Sequence, residues 1–404
     1  MSYVRIIFII FLIIGLLIIL FNSLIGLRSG IKPAEKDTSH NFCILIPARY
    51  ESNVIEDLLI SIKKQTHKVN MSDVYVIVES KEDETVNICS RYNANVVYRK
   101  DLTKKRKGYA LNDAISDILK EEKWYDAYFI FDADNILDKD FIKNMIPIYD
   151  KGYDLACGYR NCKNGNDSVV AAASSLTFSL INTLFNDSKN KKGKNITFSG
   201  TGFYIRGDII EKLQGYPFHS LTEDYEISMY AVINNLTTYY NEKSVFYDEQ
   251  PVRYKDTINQ RQRWIRGYFD VRKMYIKDLR KSFSFKDSNY SSKFDMLIGV
   301  IPYIFIIIGS FIYTFGLLFN MIINGNKLLF IELFTFLLLI YMLLLIFTFI
   351  ILLLESNKLD LSLKMKVKVL FYNPIFIISY IWCAIPALLK KNIEWKKQEH
   401  GKRS

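Results

Sequence analysis

The chain has 404 residues, with 53 Lys and Arg against 42 Asp and Glu and a formal charge of +11. Half of it is apolar and 15% is aromatic, which excludes a disordered chain and leaves room for two or three domains. Five cysteines without a Cys-x-x-Cys pair exclude a disulfide scaffold and fit reduced thiols facing a cytosol.

In chain order, Ile6 to Ile25 is apolar apart from Gly15, Asn22 and Ser23. At about 1.5 Å per residue this run spans a bilayer. No Ala-x-Ala-like site follows, so residues 1–27 are expected to be a retained anchor, not a cleaved signal peptide. Asn41 to Pro47 reads as a buried parallel strand, and Val54 to Thr66 has helical spacing. Asp73–Val78 is a strand, Glu84–Tyr92 a helix and Asn95–Tyr98 a strand. Gly108–Leu119 is a helix, and Tyr125–Phe131 is a strand that ends at Asp132. This alternation predicts an α/β domain over residues 41–252, with a mostly parallel sheet flanked by helices. The Lys- and Asn-rich stretch from Asn186 to Thr197 reads as a solvated loop.

Residues 253–290 form a basic amphipathic segment. Between Arg253 and Lys286 stand 11 Lys/Arg and three Asp, and Tyr268 to Phe285 reads as an interfacial helix against anionic lipid. Two further spans are expected within 296–354, at Met296–Met321 and Leu328–Leu354, and a last apolar stretch at 369–389 is interrupted by Pro374 and Pro386. Residues 390–404 form a basic tail. Positive charge marks the cytoplasmic side, and it flanks the first span, the segment after Leu354 and the tail. A cytoplasmic domain then puts the N-terminus outside, and a full crossing at 369–389 would export the basic tail. A re-entrant or interfacial hairpin at 369–389 is the alternative to a third C-terminal span, and it is favoured because it keeps the basic tail inside.

Ligands of open parallel sheets sit beyond the carboxyl ends of the strands. The strand ends here lead into Pro47-Ala48-Arg49-Tyr50-Glu51, Glu79-Ser80 and Asp132-Ala133-Asp134. In extended chain, residues i and i+2 face the same way, so Asp132 and Asp134 offer two hard oxygen ligands suited to Mg²⁺ or Mn²⁺. A polar turn after a strand gives the same letters. Ser199-Gly200-Thr201-Gly202 lets backbone approach a ligand, and Thr222-Glu223-Asp224 opens a helix, where acids also serve as caps. Gln260-Arg261-Gln262-Arg263-Trp264 joins diphosphate-binding chemistry to a flat platform for a sugar face. His219 reads as a loop histidine.

Asp132-Ala133-Asp134, Thr222-Glu223-Asp224 and Gln260-Arg261-Gln262-Arg263-Trp264, in this order and spacing, resemble the processive glycosyltransferases of family 2, the group of cellulose, hyaluronan, chitin and poly-N-acetylglucosamine synthases. Lys107-Gly108-Tyr109-Ala110-Leu111-Asn112 resembles the family's Lys-x-x-Ala-Leu-Asn segment. Glu79 stands where the family usually has Asp. The resemblance covers about residues 41–290 and implies a GT-A-like (Rossmann-like) fold. It also implies N- and C-terminal transmembrane helices, and inverting transfer of a hexosyl group from a nucleotide-diphospho sugar, usually a UDP-sugar. Under it, Pro47, Arg49, Glu51 and Glu79 line the nucleoside pocket and Lys107 approaches phosphate. Asp132 and Asp134 hold the nucleotide and the Mg²⁺ or Mn²⁺ ion. Asp224, with Glu223 beside it, is the catalytic base. Gly200, Thr201, Gly202, Gln260, Arg263 and Trp264 form the acceptor and diphosphate site.

The implied partners are a nucleotide-sugar donor, a polysaccharide or lipid-linked acceptor, the lipid bilayer and unnamed secretion proteins. The implied location is the cell membrane, multi-pass, with the catalytic domain in the cytoplasm. Three other readings compete. A non-processive enzyme would add one sugar to a lipid-linked acceptor. An inactive scaffold of a secretion system would have lost acids that are present here. A nucleic-acid binder would not gather its basic residues beside membrane segments.

Overall fold

The computed structural model of the chain describes residues 40–299, 301–325 and 328–389. The expected anchor over residues 1–27 and the basic tail over 390–404 lie outside the described residues.

Strands β1 (Phe42–Pro47), β2 (Val74–Val78), β3 (Asn95–Tyr98) and β4 (Ala127–Ile130) alternate with helices α1 (Ile55–Lys63), α2 (Thr85–Arg91) and α3 (Lys107–Lys120). Each lies where the sequence pattern puts it, to within a few residues. Then follow β5 (Ile136–Leu137), α4 (Phe141–Asp150), β6 (Leu155–Cys162) and α5 (Val169–Leu180). α5 runs on through a π-helical turn, Ile181–Asp187, and a last α-turn, Ser188–Lys191. Next come β7 (Phe203–Arg206), α6 (Gly207–Leu213), α7 (Glu223–Ile233) and β8 (Thr238–Asp248). Long helices complete the chain: α8 (Tyr254–Ser282), α9 (Tyr290–Ile298), α10 (Ile301–Asn324), α11 (Leu328–Leu354) and α12 (Leu363–Leu389).

The eight strands form one sheet in the order β3-β2-β1-β4-β7-β6-β8-β5. β3, β2, β1 and β4 are parallel. β7 runs antiparallel to both of its neighbours, and β5 is antiparallel to β8. β6 and β8 are parallel, so the sheet is mixed, with four parallel pairings and three antiparallel ones. Strand alternation splits the core between the two faces. Ile44, Ile46, Val76 and Phe129 pack under α1 and α4, while Cys43, Leu45, Ile77 and Tyr128 pack under α3. The direction of each strand brings one edge of the sheet the ends of β1, β2, β4, β6 and β8 together with the start of β7. All five cysteines are free and buried.

The stretch from Asn186 to Thr197 is not a solvated loop. Asn186, Ser188, Asn195 and Ile196 are buried, because both asparagines act as substitutes for backbone partners. Asn186 Nδ2 donates to the Thr197 carbonyl (2.9 Å), and Asn195 Nδ2 donates to that of Leu236 (2.8 Å). Polar side chains buried in this way have their hydrogen bonds satisfied.

By length and composition, three of the described helices could cross a membrane: Val169–Lys191, Leu329–Leu354 and Leu363–Leu389. The first is mostly buried against the domain and the later helices. The last is one continuous helix through Pro374 and Pro386, which replaces the expected hairpin. Each proline removes one backbone hydrogen bond, yet packing against α8, α5 and α11 carries the helix through. Its other side exposes Phe371, Ile375, Trp382 and Leu389.

Candidate active site

One cleft of about 420 Å³ opens at this edge of the sheet. At its β1–β2 end, Arg49 Nε lies 3.0 Å from Glu79 Oε2, so the ends of two adjacent strands are joined by an ion pair. Tyr50 turns the chain with φ +57°, and its N–H donates to Asp83 Oδ2 (2.8 Å). Pro47 and Glu51 also line this end.

In the middle, the chain leaving β4 is held by Thr201. The N–H of Asp132 donates to Thr201 Oγ1 (2.8 Å) and to Asn135 Oδ1 (3.1 Å). Lys107, at the first turn of α3, reaches across to Asp132 Oδ1 (2.5 Å) and the Gly200 carbonyl (2.6 Å), and stands 4.0 Å from Glu223 Oε1. Burial alone would lower the Lys107 pKa, but the charges of Asp132 and Glu223 outweigh it and raise it. Gly200 has φ +93°, and a Cβ there would lie 3.5 Å from Asp224 Oδ2, so the glycine keeps the approach to that oxygen open.

Glu223 and Asp224 open α7. Asp224 Oδ1 accepts its neighbour's backbone N–H, from Tyr225 (2.8 Å). Burial pushes both carboxyls above their usual range. Lys107 opposes the rise in both, and Asp224 adds to that of Glu223. A carboxylate biased toward holding a proton is suited to general-base work near neutral pH.

The far wall is α8, from which Gln260, Arg263 and Trp264 face the cleft. Arg263 is desolvated, which lowers its pKa, and its buried Nε has no hydrogen-bond partner among the described residues. Trp264 packs edge-on against Phe178 (5.8 Å, 82°).

A model of the family described as "Glycosyltransferase like family 2" matches residues 40–267, more than half of the chain. The chain belongs to this family. It is 25% identical over 309 residues to the probable glycosyltransferase YdaM of Bacillus subtilis (strain 168), covering 72% of this chain and 66% of that relative. The match thus spans just under two thirds of the relative's length. Among solved structures, the mannosyltransferase PcManGT from Pyrobaculum calidifontis, in complex with GDP-Man and Mn²⁺, resembles the chain with a TM-score of 0.57 at 14% identity, covering 95% of this chain and 99% of that one. S. aureus TarS in complex with UDP-GlcNAc gives a TM-score of 0.43 at 15% identity, covering 65% of this chain and 71% of that one. At such identities the likeness is one of fold, and with PcManGT it supports a GT-A-like α/β fold with helices.

The divalent ion implied for family 2 can be tested against the residues present. Asp134 accepts long hydrogen bonds from Asn135 Nδ2 and the Glu249 N–H, both 3.2 Å. One oxygen of Asp132 is engaged by Lys107. Among the described residues no cluster of three His, Cys, Asp or Glu forms. Two hard carboxylates fit an ion that takes its other ligands from a donor's phosphates and water, as Mg²⁺ and Mn²⁺ do. His219 stacks on Tyr109 (4.1 Å) and belongs to no such cluster.

Of the residues that the resemblance to family 2 singled out, the cleft is lined by Pro47, Arg49, Glu51, Glu79, Lys107, Asp132, Asp134, Gly200, Glu223, Asp224, Gln260, Arg263 and Trp264. Thr201 and Gly202 do not line it. Thr201 is buried beneath Asp132. Gly202, at φ +69°, has the Phe246 ring where a Cβ would go, at 2.1 Å. They shape the loop that leads into β7.

Sequence reasoning missed Arg160, which lines the cleft from β6. Its Nε and Nη2 lie 2.7 and 2.5 Å from Asp248 Oδ2, and its Nη1 donates to the Ser199 carbonyl (2.5 Å). Lys163 was also missed. It pairs with Glu249 (3.1 Å) and donates to the Asp134 carbonyl (3.1 Å). Arg261, inside the Gln-Arg-Gln-Arg-Trp run, turns away from the cleft. It is buried, donates to Ser379 Oγ (2.8 Å) and the Phe376 carbonyl (3.3 Å), and so ties α8 to α12.

Proposed function

We propose that the chain is a membrane-integrated, inverting hexosyltransferase that moves a sugar from a nucleotide-diphospho sugar, a UDP-sugar, to the end of a growing polysaccharide. The observation that carries this reading is convergence. Three motifs spread over more than 130 residues of sequence put Asp132 and Asp134, Asp224, and Gln260, Arg263 and Trp264 around one cleft.

The Arg49–Glu79 end takes the nucleoside, and the diphosphate lies along Lys107, Arg160 and Arg263. Asp132 and Asp134 would hold a Mg²⁺ or Mn²⁺ ion, which when bound offsets charge on the departing diphosphate. The complex of PcManGT with GDP-Man and Mn²⁺ supports both a nucleotide-diphospho sugar as donor and the ion. The acceptor sugar rests on Trp264. Its hydroxyl faces Asp224 Oδ2, which takes the proton as the oxygen bonds to the anomeric carbon. The bond to the diphosphate oxygen breaks on the opposite side, and its electron pair leaves with the diphosphate. Arg263, desolvated and with an open Nε, is placed to meet that charge.

The connection between α11 and α12 is hydrogen-bonded to the catalytic domain. This supports a multi-pass arrangement in which these helix ends and the domain share the cytoplasmic face, where nucleotide sugars are made. The exposed apolar side chains of α11 and α12 would then face the bilayer.

The test is a panel of radiolabelled UDP- and GDP-sugars on purified membranes, with sizing of the product. A polymer from a UDP-sugar is the expected result. One added residue per acceptor would replace polymer synthesis by single transfer to a lipid-linked acceptor. No transfer from any donor would overturn the reading.

A further inference from the structure

Glu355 stands one residue beyond α11 and is only 2% exposed. It accepts hydrogen bonds from the hydroxyls of Tyr159, on β6, and Thr183, in the π-helical turn. Among the described residues no Lys or Arg forms an ion pair with it. Lys358 lies over the Tyr159 ring (5.0 Å) but pairs with Glu242 (2.8 Å). A buried carboxylate without a cation is costly where an apolar side chain would pack instead. Its placement therefore calls for an explanation other than stability.

β6 supplies one. Residues i and i+2 of a strand share a face and i+1 takes the other. Tyr159 and Asn161 both hold the connection between α11 and α12, Tyr159 through Glu355 and Asn161 through the Lys358 carbonyl (2.8 Å). Arg160, between them, lines the cleft. The π-helical turn grips the same place, since Asn182 Nδ2 donates to the Arg160 carbonyl (2.8 Å). The pairing of β6 with β8 also shifts register between Gly158 and Tyr159, and such a bulge re-aims the side chains that follow. Further on, Asn166 bonds the Asp360 carbonyl (2.7 Å) and the Ser362 N–H (2.8 Å).

We propose that Glu355 is a positioning residue for the transfer reaction. By holding Tyr159 and Thr183 from the end of an apolar helix, it sets where β6 carries Arg160, whose guanidinium Asp248 and the Ser199 carbonyl then aim at the donor diphosphate. The helix pair α11–α12 thereby sets the geometry of the cleft. This rests on the reading of the cleft as a nucleotide-sugar site.

The experiment uses the full chain in lipid nanodiscs, with UDP and GDP as calorimetric probes, donor KM and kcat, and the thermal unfolding midpoint. Glu355→Ala and Tyr159→Phe should each weaken nucleotide binding and raise donor KM by about tenfold, with a smaller change in kcat. Glu355→Gln, whose carbonyl still accepts a hydroxyl, should recover part of that loss. The double variant should be no worse than the poorer single one, because both remove the same contact. Should Glu355→Ala fail to fold, Tyr159→Phe deletes a single oxygen and carries the same readout. Variants with a lower unfolding midpoint but unchanged KM and nucleotide affinity would make Glu355 a structural anchor and overturn the proposal. A wild-type chain that binds neither nucleotide would instead overturn the nucleotide-sugar reading, and this inference with it.

Discussion

Lys107 Nζ stands 2.5 Å from Asp132 Oδ1, so the first turn of α3 is tied to the strand-end carboxylate by a single ammonium group. The same group faces Glu223 and the Gly200 carbonyl, and with Arg160 and Arg263 it supplies positive charge beside Asp132, Glu223 and Asp224. Lys107→Met removes the cation that touches Asp132 and stands nearest Glu223, and so increases the repulsion among the three acids. Donor affinity should fall by about tenfold or more, because a buried charge partner is lost. The acidic limb of the pH–rate profile should move upward, since Lys107 lowers the pKa of both Glu223 and Asp224. Calorimetric nucleotide titration and a pH–rate series check both, and an unmoved limb would contradict the coupling.

Divalent-metal dependence follows from Asp132 and Asp134 as a two-carboxylate pair. EDTA should abolish transfer, and added Mg²⁺ or Mn²⁺ should restore it. Asp134→Asn should need much more metal to reach half activity. Full turnover in chelator would remove the ion from the reaction.

Asp224→Asn should retain nucleotide binding and lose transfer. The amide is nearly the same shape but accepts no proton, and loss of a general base costs roughly 10²–10⁴-fold in kcat. In the wild type, kcat should rise with pH through a pKa above the ordinary Asp value of about 3.9, because burial raises that of Asp224. The limb should vanish in the variant. Normal turnover of Asp224→Asn would move the base to another residue.

Glu223 carries an opposite demand on stability. Its folded-state pKa is raised by burial, so between the unfolded value, about 4.3, and the folded value the native chain holds a proton that the unfolded chain has lost. Its contribution is fully present below the unfolded pKa and disappears as pH rises through the folded one. Glu223→Gln keeps the hydrogen-bonding shape without the charge. It should therefore unfold at a higher temperature than wild type at pH 8, with the difference shrinking at pH 5. Scanning calorimetry at the two pH values decides it.

The first half of the domain was legible in the sequence because β1 to β4 are short apolar runs whose helices follow at once. What failed to show depends on partners far along the chain. Arg160 and Asp248 are 88 residues apart, and nothing local announces their ion pair. Gly200-Thr201-Gly202 read as ligand-facing because two close glycines let backbone approach a ligand, yet Thr201 supports the Asp132 backbone and Gly202 makes room for Phe246. Asn186 and Asn195 looked solvated by composition and are buried because each binds a distant carbonyl. Pro374 and Pro386 suggested a break, but a helix packed on three neighbours survives the loss of two hydrogen bonds. The acids and the Gln-Arg-Gln-Arg-Trp run were legible because their chemistry is carried by residue type and order, and the fold then gathers them.

Trp264 gives the most discriminating test of polymer synthesis. An enzyme that elongates a chain must hold the growing end still while each donor arrives, and an indole face between Gln260 and Asp224 would do so by stacking. The ring lines the cleft and is steadied edge-on by Phe178, whose own face carries the Arg160 guanidinium at 3.7 Å. That packing also permits a purely structural role for Trp264 at a membrane interface, where Trp is common. The two roles part in one variant. If the ring is an acceptor platform, Trp264→Ala binds UDP as wild type does but forms little polymer, and added short acceptor oligosaccharide restores transfer only at concentrations at least about tenfold higher, as loss of one stacked ring implies. If the ring only braces α8 against Phe178, the yield of folded protein drops while polymer made per folded molecule stays constant. UDP titration and product sizing on the same purified sample separate these outcomes, and the second would remove Trp264 from the acceptor site.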